Sequence, residues 1–233
     1  MSEALCDTFD LAMLWEYRDA LLQGLIFNGY VFGCSVVVAL SVGLAAALLR
    51  INRIWVFRWV GTVHVEVFRN APDYIMLVWV HFVLPLLLSP LVGKRLEFDP
   101  FLSAVIALGF VYSGYFAETF RAGIQAVPFG QIEAARACGM SDRLILWRIT
   151  LPQAVRTMLP EGVNQLVSLF KATTIVSLIA VPDLMYRVSM VIQQEMRPLP
   201  LYTGAALTYF AVIFVATAAI RALSERWRRK IYA

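Results

Sequence analysis

A chain of 233 residues that is 60% hydrophobic, with a mean hydropathy of +0.71, exceeds the roughly 45–50% apolar content of soluble domains and belongs in a membrane. The net charge of +4 comes from basic loops and is no sign of nucleic-acid binding. The three cysteines, Cys6, Cys34 and Cys138, are odd in number and lack metal-ligand spacing, which argues against a disulfide framework or a metal centre.

Residues 1–19 carry Glu3, Asp7, Asp10, Glu16 and Asp19 where a secretory signal would be basic, and the apolar stretch that follows is too long for a signal peptide. Five apolar segments then appear. Residues 20–49 are uncharged, and residues 74–93 are uncharged but include His81. Residues 100–117 lie between Asp99 and Glu118. Residues 162–181 are apolar except for Lys171, and residues 198–220 run uncharged to Arg221. A span needs about 20 residues, so the third segment must continue past Glu118.

The expected organisation is a single domain: an extracytoplasmic segment over 1–19, a membrane domain over 20–223 and a basic tail over 224–233. Lys and Arg orient it. Arg50, Arg53 and Arg58 follow the first span. Arg121, Arg136, Arg143, Arg148 and Arg156 fill the loop after the third, and Arg221, Arg226, Arg228, Arg229 and Lys230 follow the fifth. The other side holds Arg18, Lys94, Arg95, Arg187 and Arg197. The N-terminus is therefore expected outside and the C-terminus in the cytoplasm.

From Ile54 to Ser89 one straight helix would measure about 54 Å, against a hydrocarbon core of about 30 Å. Asn70-Ala71-Pro72 is the predicted break, because a residue before proline resists the helix, and Asp73 is a candidate cap for the second half. In the loop over 121–159, the alanines of Gln131–Cys138 favour a short helix and Gly139 suits the left-handed position that closes it. Ser141 is placed to cap a second helix bearing Leu144, Ile145 and Trp147, and Pro152 and Pro160 are expected to punctuate the return to the membrane.

Glu133-Ala134-Ala135, then Gly139 after a gap of three, then Ile149 and Leu151-Pro152 after a gap of nine, resembles the EAA loop of bacterial ABC importer permeases. That loop docks an ATP-hydrolysing subunit. Topology and motif agree, since both put this loop in the cytoplasm. Leu22-Gln23-Gly24-Leu25 resembles the opening of the first span in polar amino-acid permeases, and Val65 to Pro72 resembles their EFFRGTP segment. Gly114 to Pro128 is similar to GAYxAExxRGGIxxVP, and Lys171-Ala172-Thr173-Thr174-Ile175 stands where KDTSL is usual.

The resemblance implies an all-α membrane protein of the type I ABC importer permease fold. It implies five transmembrane helices with a cytoplasmic EAA coupling helix, in the bacterial inner membrane. It also implies two ABC ATPase subunits, a second permease chain, identical or homologous, and an extracytoplasmic amino-acid-binding protein. Glu133, Ala134, Ala135 and Gly139 are the expected coupling residues. No G-x-x-x-x-G-K-[ST] occurs in the chain, so no cofactor is expected here, and ATP and Mg²⁺ belong to the partner ATPase.

Ionisable groups at membrane depth are costly and usually functional. Glu161, Asn164, Gln165, Ser168 and Lys171 recur at helical spacing as one polar stripe, with Lys171 read as lying near the middle of the fourth span. Such a stripe faces water or protein; for Asn164 and Ser168 an interhelical hydrogen bond serves equally well. Arg69, Asn70 and Ala71 adjoin the predicted break, where freed backbone groups become ligands. Alternatively, residues 54–70 lie along the interface and Arg69 merely snorkels.

The expected substrate-binding set is Arg69, Asn70, Ala71, Gln165, Ser168, Lys171 and Ala172. Ala172 in place of the usual acid leaves basic groups and amides, which favours a substrate with an acidic or amide side chain. A permease for an opine-like conjugate or for methionine is the alternative. A self-sufficient secondary transporter or channel is the rival class, but secondary transporters commonly carry both repeats of a fold or a coupling-ion site, and this chain has no internal repeat. His64 and His81 are lone histidines, expected to be structural. The tail from Arg221 to Lys230 reads as an anchor for the last span, with contacts to anionic lipid.

Overall fold

The computed structural model describes residues 15–232. The N-terminal acids up to Asp10 and the side chains of the basic tail lie outside the described part. Among the described residues the chain is helical and has no strand. Among the described residues, five helical stretches are long and apolar enough to cross a membrane: Arg18–Arg50, Asp73–Val92, Pro100–Gln125, Asp142–Ile179 and Pro198–Ala219.

α1 (Arg18–Arg50) takes the first uncharged stretch, with Asp19 in its first turn and Arg50 in its last, each complementing the helix dipole. α2 (Trp55–Asn70) ends where expected. Ala71 and Pro72 are extended, with ψ of 131° and 129°, and α3 (Asp73–Val78) starts afresh. Asp73 does not take the capping position. Pro72 occupies it, and Asp73 is the first helical residue, where its charge meets the helix N-terminus.

A π turn over Trp79–Val83 joins α3 to α4 (Leu84–Val92), which closes on left-handed Gly93. α5 (Pro100–Gln125) runs through Glu118, as a third span of adequate length requires. α6 (Phe129–Ala137) and α7 (Asp142–Ile145) form the helices of the loop over 121–159. A second π turn over Leu146–Thr150 leads into α8 (Leu151–Ala172), which tightens into a 3₁₀ helix over Thr173–Ile179. α9 (Leu184–Glu195) and α10 (Pro198–Tyr232) follow.

Pro152 and Pro160 do not interrupt the return to the membrane as expected; both lie within α8. The two π turns share a cause. Each ends with a wide bond, Leu84 N–H to the Trp79 carbonyl and Leu151 N–H to the Leu146 carbonyl, and each is followed by Leu-Pro. A proline ring collides with the carbonyl four residues back and brings no N–H. One widened turn before it shifts that carbonyl, so the helix continues.

The chain divides into two units. One comprises the residues up to Ser35, Pro72–Leu108 and Val167 onward. Its core gathers Leu21, Leu184, Val188, Val191, Leu201, Ala205 and Tyr209, and α3 rests on the 3₁₀ helix. The other comprises Val36–Ala71 and Gly109–Leu166. Its core is built of small residues, Ala46, Ala47, Val65 and Ala117, with Phe120 packed on it. Small side chains let helix backbones approach: a Cβ on Gly61 would stand 2.8 Å from the Ala46 carbonyl oxygen.

Candidate functional site

The loop helices are built as a stiff unit. At the end of α6, Gly139 adopts φ 78°, its N–H bonds to the Arg136 carbonyl and the Met140 N–H reaches back to the Ala135 carbonyl. That pair of bonds is a Schellman ending, which a glycine at this position permits without strain. The Ser141 hydroxyl accepts from the Leu144 N–H at 3.4 Å and caps α7. Arg136 clasps Asp142 at 3.0 Å across the turn, and Gln153 of α8 donates to Gln131 of α6 at 2.7 Å. Glu133, Ala134 and Gly139 are exposed and Ala135 is buried. Phe129, Leu144, Leu146 and Trp147 also lie exposed, leaving this part of the chain with both apolar and charged groups to offer a partner.

A charged hub in the same unit was not foreseen. Arg50, at the end of α1, pairs with Glu118 of α5, which also takes the Arg121 guanidinium; Arg121 reaches Gln125 as well. The sequence signal was opposite charges at the ends of two uncharged runs, Arg50 there counted for orientation and Glu118 taken as the limit of the third run. The hub ties the end of the first span to the stretch of α5 that leads into the loop helices.

Along α8 the polar stripe is real. Glu161, Asn164, Ser168 and Lys171 are exposed and Gln165 half-buried, while Leu169 is fully buried. Gln165 and Asn164 donate to the Glu161 carboxylate at 2.6 Å and 3.5 Å. Lys171 lies within the candidate span Asp142–Ile179, which continues through the 3₁₀ helix. It is the penultimate residue of α8, where the α-helix tightens to 3₁₀. Its carbonyl accepts from the Thr174 hydroxyl at 2.8 Å, and among the described residues its ammonium has no partner. Ala172 is 8% exposed and lies off the stripe.

Arg69, Asn70 and Ala71 belong to the other unit. The Tyr115 hydroxyl donates to the Arg69 carbonyl at 2.9 Å, and a Cβ on Gly114 would stand 2.9 Å from the Arg69 nitrogen, so α5 supports the end of α2 closely. Asn70 donates to the Glu66 carbonyl at 2.7 Å and to its carboxylate at 3.2 Å. The two amides expected to greet a substrate, Asn70 and Gln165, thus each already serve a carboxylate. The expectation of basic groups and neutral amides alone overlooked Glu66 and Glu161.

The histidines hold helices together. The Ser113 hydroxyl donates to the Phe110 carbonyl, so at 2.8 Å it accepts from His64 Nε2–H. By the same reasoning Ser103, which donates to the Asp99 carbonyl, accepts from His81 Nδ1–H at 2.9 Å.

Comparison with known proteins agrees with this architecture. The family described as "binding-protein-dependent transport system inner membrane component" matches residues 39–229. The chain is similar to the arginine ABC transporter permease protein ArtQ of Haemophilus influenzae, 36% identical over 84% of this chain and 88% of that one. It is also similar to the probable glutamine ABC transporter permease protein GlnP of Bacillus subtilis, 33% identical over 93% and 94%. Among solved structures, a chain of an amino acid ABC transporter crystallised with histidines superposes with a TM-score of 0.80, at 28% identity, over 95% of this chain and 98% of that one.

Proposed function

We propose a cargo and a division of labour for this chain, which belongs to the binding-protein-dependent transport system inner membrane components and is a multi-pass permease of a polar amino-acid ABC importer. The cargo is an amino acid with an acidic or amide side chain. ATP and Mg²⁺ are used by two separate ATPase subunits that engage Glu133, Ala134, Ala135 and Gly139. A second permease chain and an extracytoplasmic binding protein complete the transporter, with the N-terminus of this chain outside and its C-terminus in the cytoplasm.

One observation carries the cargo reading. Lys171 presents an ammonium unpaired among the described residues on the exposed stripe of α8, beside Ser168, whereas the carboxylate of that stripe, Glu161, is already held by two amides. An unmatched cation next to an apolar span favours a bound carboxylate. Arg69, with Asn70 and Ala71 at the end of α2, is read as a second basic contact in its own unit. The names of the relatives pull two ways, one toward arginine and one toward glutamine.

The test is uptake of labelled glutamate, glutamine and arginine into vesicles holding the complete transporter and its matching binding protein. Glutamate or glutamine is expected to be taken up, with Lys171→Met lowering uptake about tenfold while assembly persists. Uptake of arginine with none of the other two would overturn the cargo and leave the permease assignment intact.

A further inference from the structure

A third of the way along α1, Asn28 is completely buried. Its amide nitrogen donates to the Thr173 carbonyl at 3.3 Å, the Thr173 hydroxyl at 3.1 Å and an Asp183 carboxylate oxygen at 3.3 Å. Its oxygen accepts from the Leu184 N–H at 3.0 Å and the Tyr209 hydroxyl at 3.2 Å. A side-chain amide has two N–H groups and two lone pairs, and here every one is engaged by groups distant in sequence. One turn earlier, Gly24 brings α1 so near the same backbone that a Cβ there would stand 2.7 Å from Leu184 Cα. Thr173 is thus held from the side by α1. It is also held from its own helix, where its hydroxyl donates to the Phe170 carbonyl at 2.7 Å.

Thr173 is where α8 becomes a 3₁₀ helix, two residues after Lys171. A change from 3.6 to about 3.0 residues per turn rotates every side chain on either side of it. The place of that change along the chain therefore sets where the Lys171 ammonium points. We infer that Asn28 is a positioning residue: by gripping Thr173 and Asp183–Leu184 it fixes the α-to-3₁₀ changeover and with it Lys171. The functional half of this inference rests on the proposed role of Lys171; the positional half does not.

The experiment uses the assembled transporter with the native cysteines replaced. A spin label on a cysteine introduced by Lys171→Cys reports the mobility of that position, in the presence and absence of Asn28→Ala. Thr173→Val, nearly isosteric, is the gentler second variant. Label mobility is expected to rise in both. In unlabelled protein, uptake per ATP hydrolysed falls about tenfold in Asn28→Ala, the scale of one unmatched buried polar group, while basal ATP hydrolysis stays within about twofold. Combining Asn28→Ala with Lys171→Met adds no further loss, because the first acts through the second. An unchanged label in both variants overturns the inference, as do losses that multiply. A looser label together with normal uptake by Lys171→Met supports the positional role and rejects the cargo reading instead.

Discussion

Gly24 and Gly29 lie five positions apart on α1 and behave oppositely. A methyl group on Gly24 would press on the Leu184 backbone at 2.7 Å, whereas one on Gly29 meets nothing within 4 Å. Backbone cannot step aside as a flexible side chain can. Gly24→Ala is expected to destabilise the folded chain by about 1–3 kcal/mol, and Gly29→Ala to be neutral or stabilising by up to about 1 kcal/mol. Thermal unfolding of the purified complex in detergent checks the pair. Asp183 gives a pH-dependent counterpart. Burial among Asn28, Tyr209 and the start of α9 pushes its carboxyl from 3.8 up to about 6. The folded state therefore favours the protonated acid, so its contribution is fully present below about pH 4 and lost as pH rises through about 6. The stability advantage of the native protein over Asp183→Ala should shrink between pH 4 and pH 7. An advantage that grows over that range would contradict the assigned burial cost.

At the scale of elements, the loop helices depend on a glycine. Gly139 at φ 78° allows the two bonds that end α6, and α7 follows at Asp142, capped by Ser141. Valine at that φ is a steric outlier, whereas asparagine visits the region readily. Gly139→Val is expected to leave membrane insertion intact and to abolish co-purification of the ATPase, while Gly139→Asn retains most of it. Normal ATPase assembly and uptake in the valine variant would remove the coupling role assigned to this turn. The same scale shows what hydropathy and spacing could reach. The break after Asn70, the closing glycine and the serine cap were all legible, because each follows from the conformational limits of one or two residues. The continuity of the helix through Pro152 was not legible, because it needed a π turn, a register change without its own residue signature; Pro160 sits inside α8 without one.

For the molecule as a whole, sidedness is the prediction that reaches furthest. Cysteines introduced by Lys94→Cys, between two spans, and Arg143→Cys, in the short helix α7, both exposed, should react from opposite faces of intact cells when the native cysteines are replaced. Labelling of Arg143→Cys by an impermeant reagent without permeabilisation would reverse the proposed orientation. Reconstituted without its ATPase, the chain should move no substrate; uptake by the chain alone would revive the secondary-transporter reading. Composition and apolar runs by themselves determined that this is a helical membrane protein and where its spans lie, and the motif resemblance pointed to a permease. Those properties come from local apolar runs, loop charge and short motifs, each readable within about 20 residues. The tertiary structure alone decided that Asn28 meets Thr173 and Asp183 across 145 and 155 residues, and that Arg50 meets Glu118 across 68. It also decided that Lys171 sits at a change of helix type, whereas the bonds of Asn70 to Glu66 and of Gln165 to Glu161 are four-residue pairs within one helix and follow from local spacing. A polar residue within an apolar run advertises that it needs a partner, but which partner it finds depends on how the helices pack, and no local period encodes that.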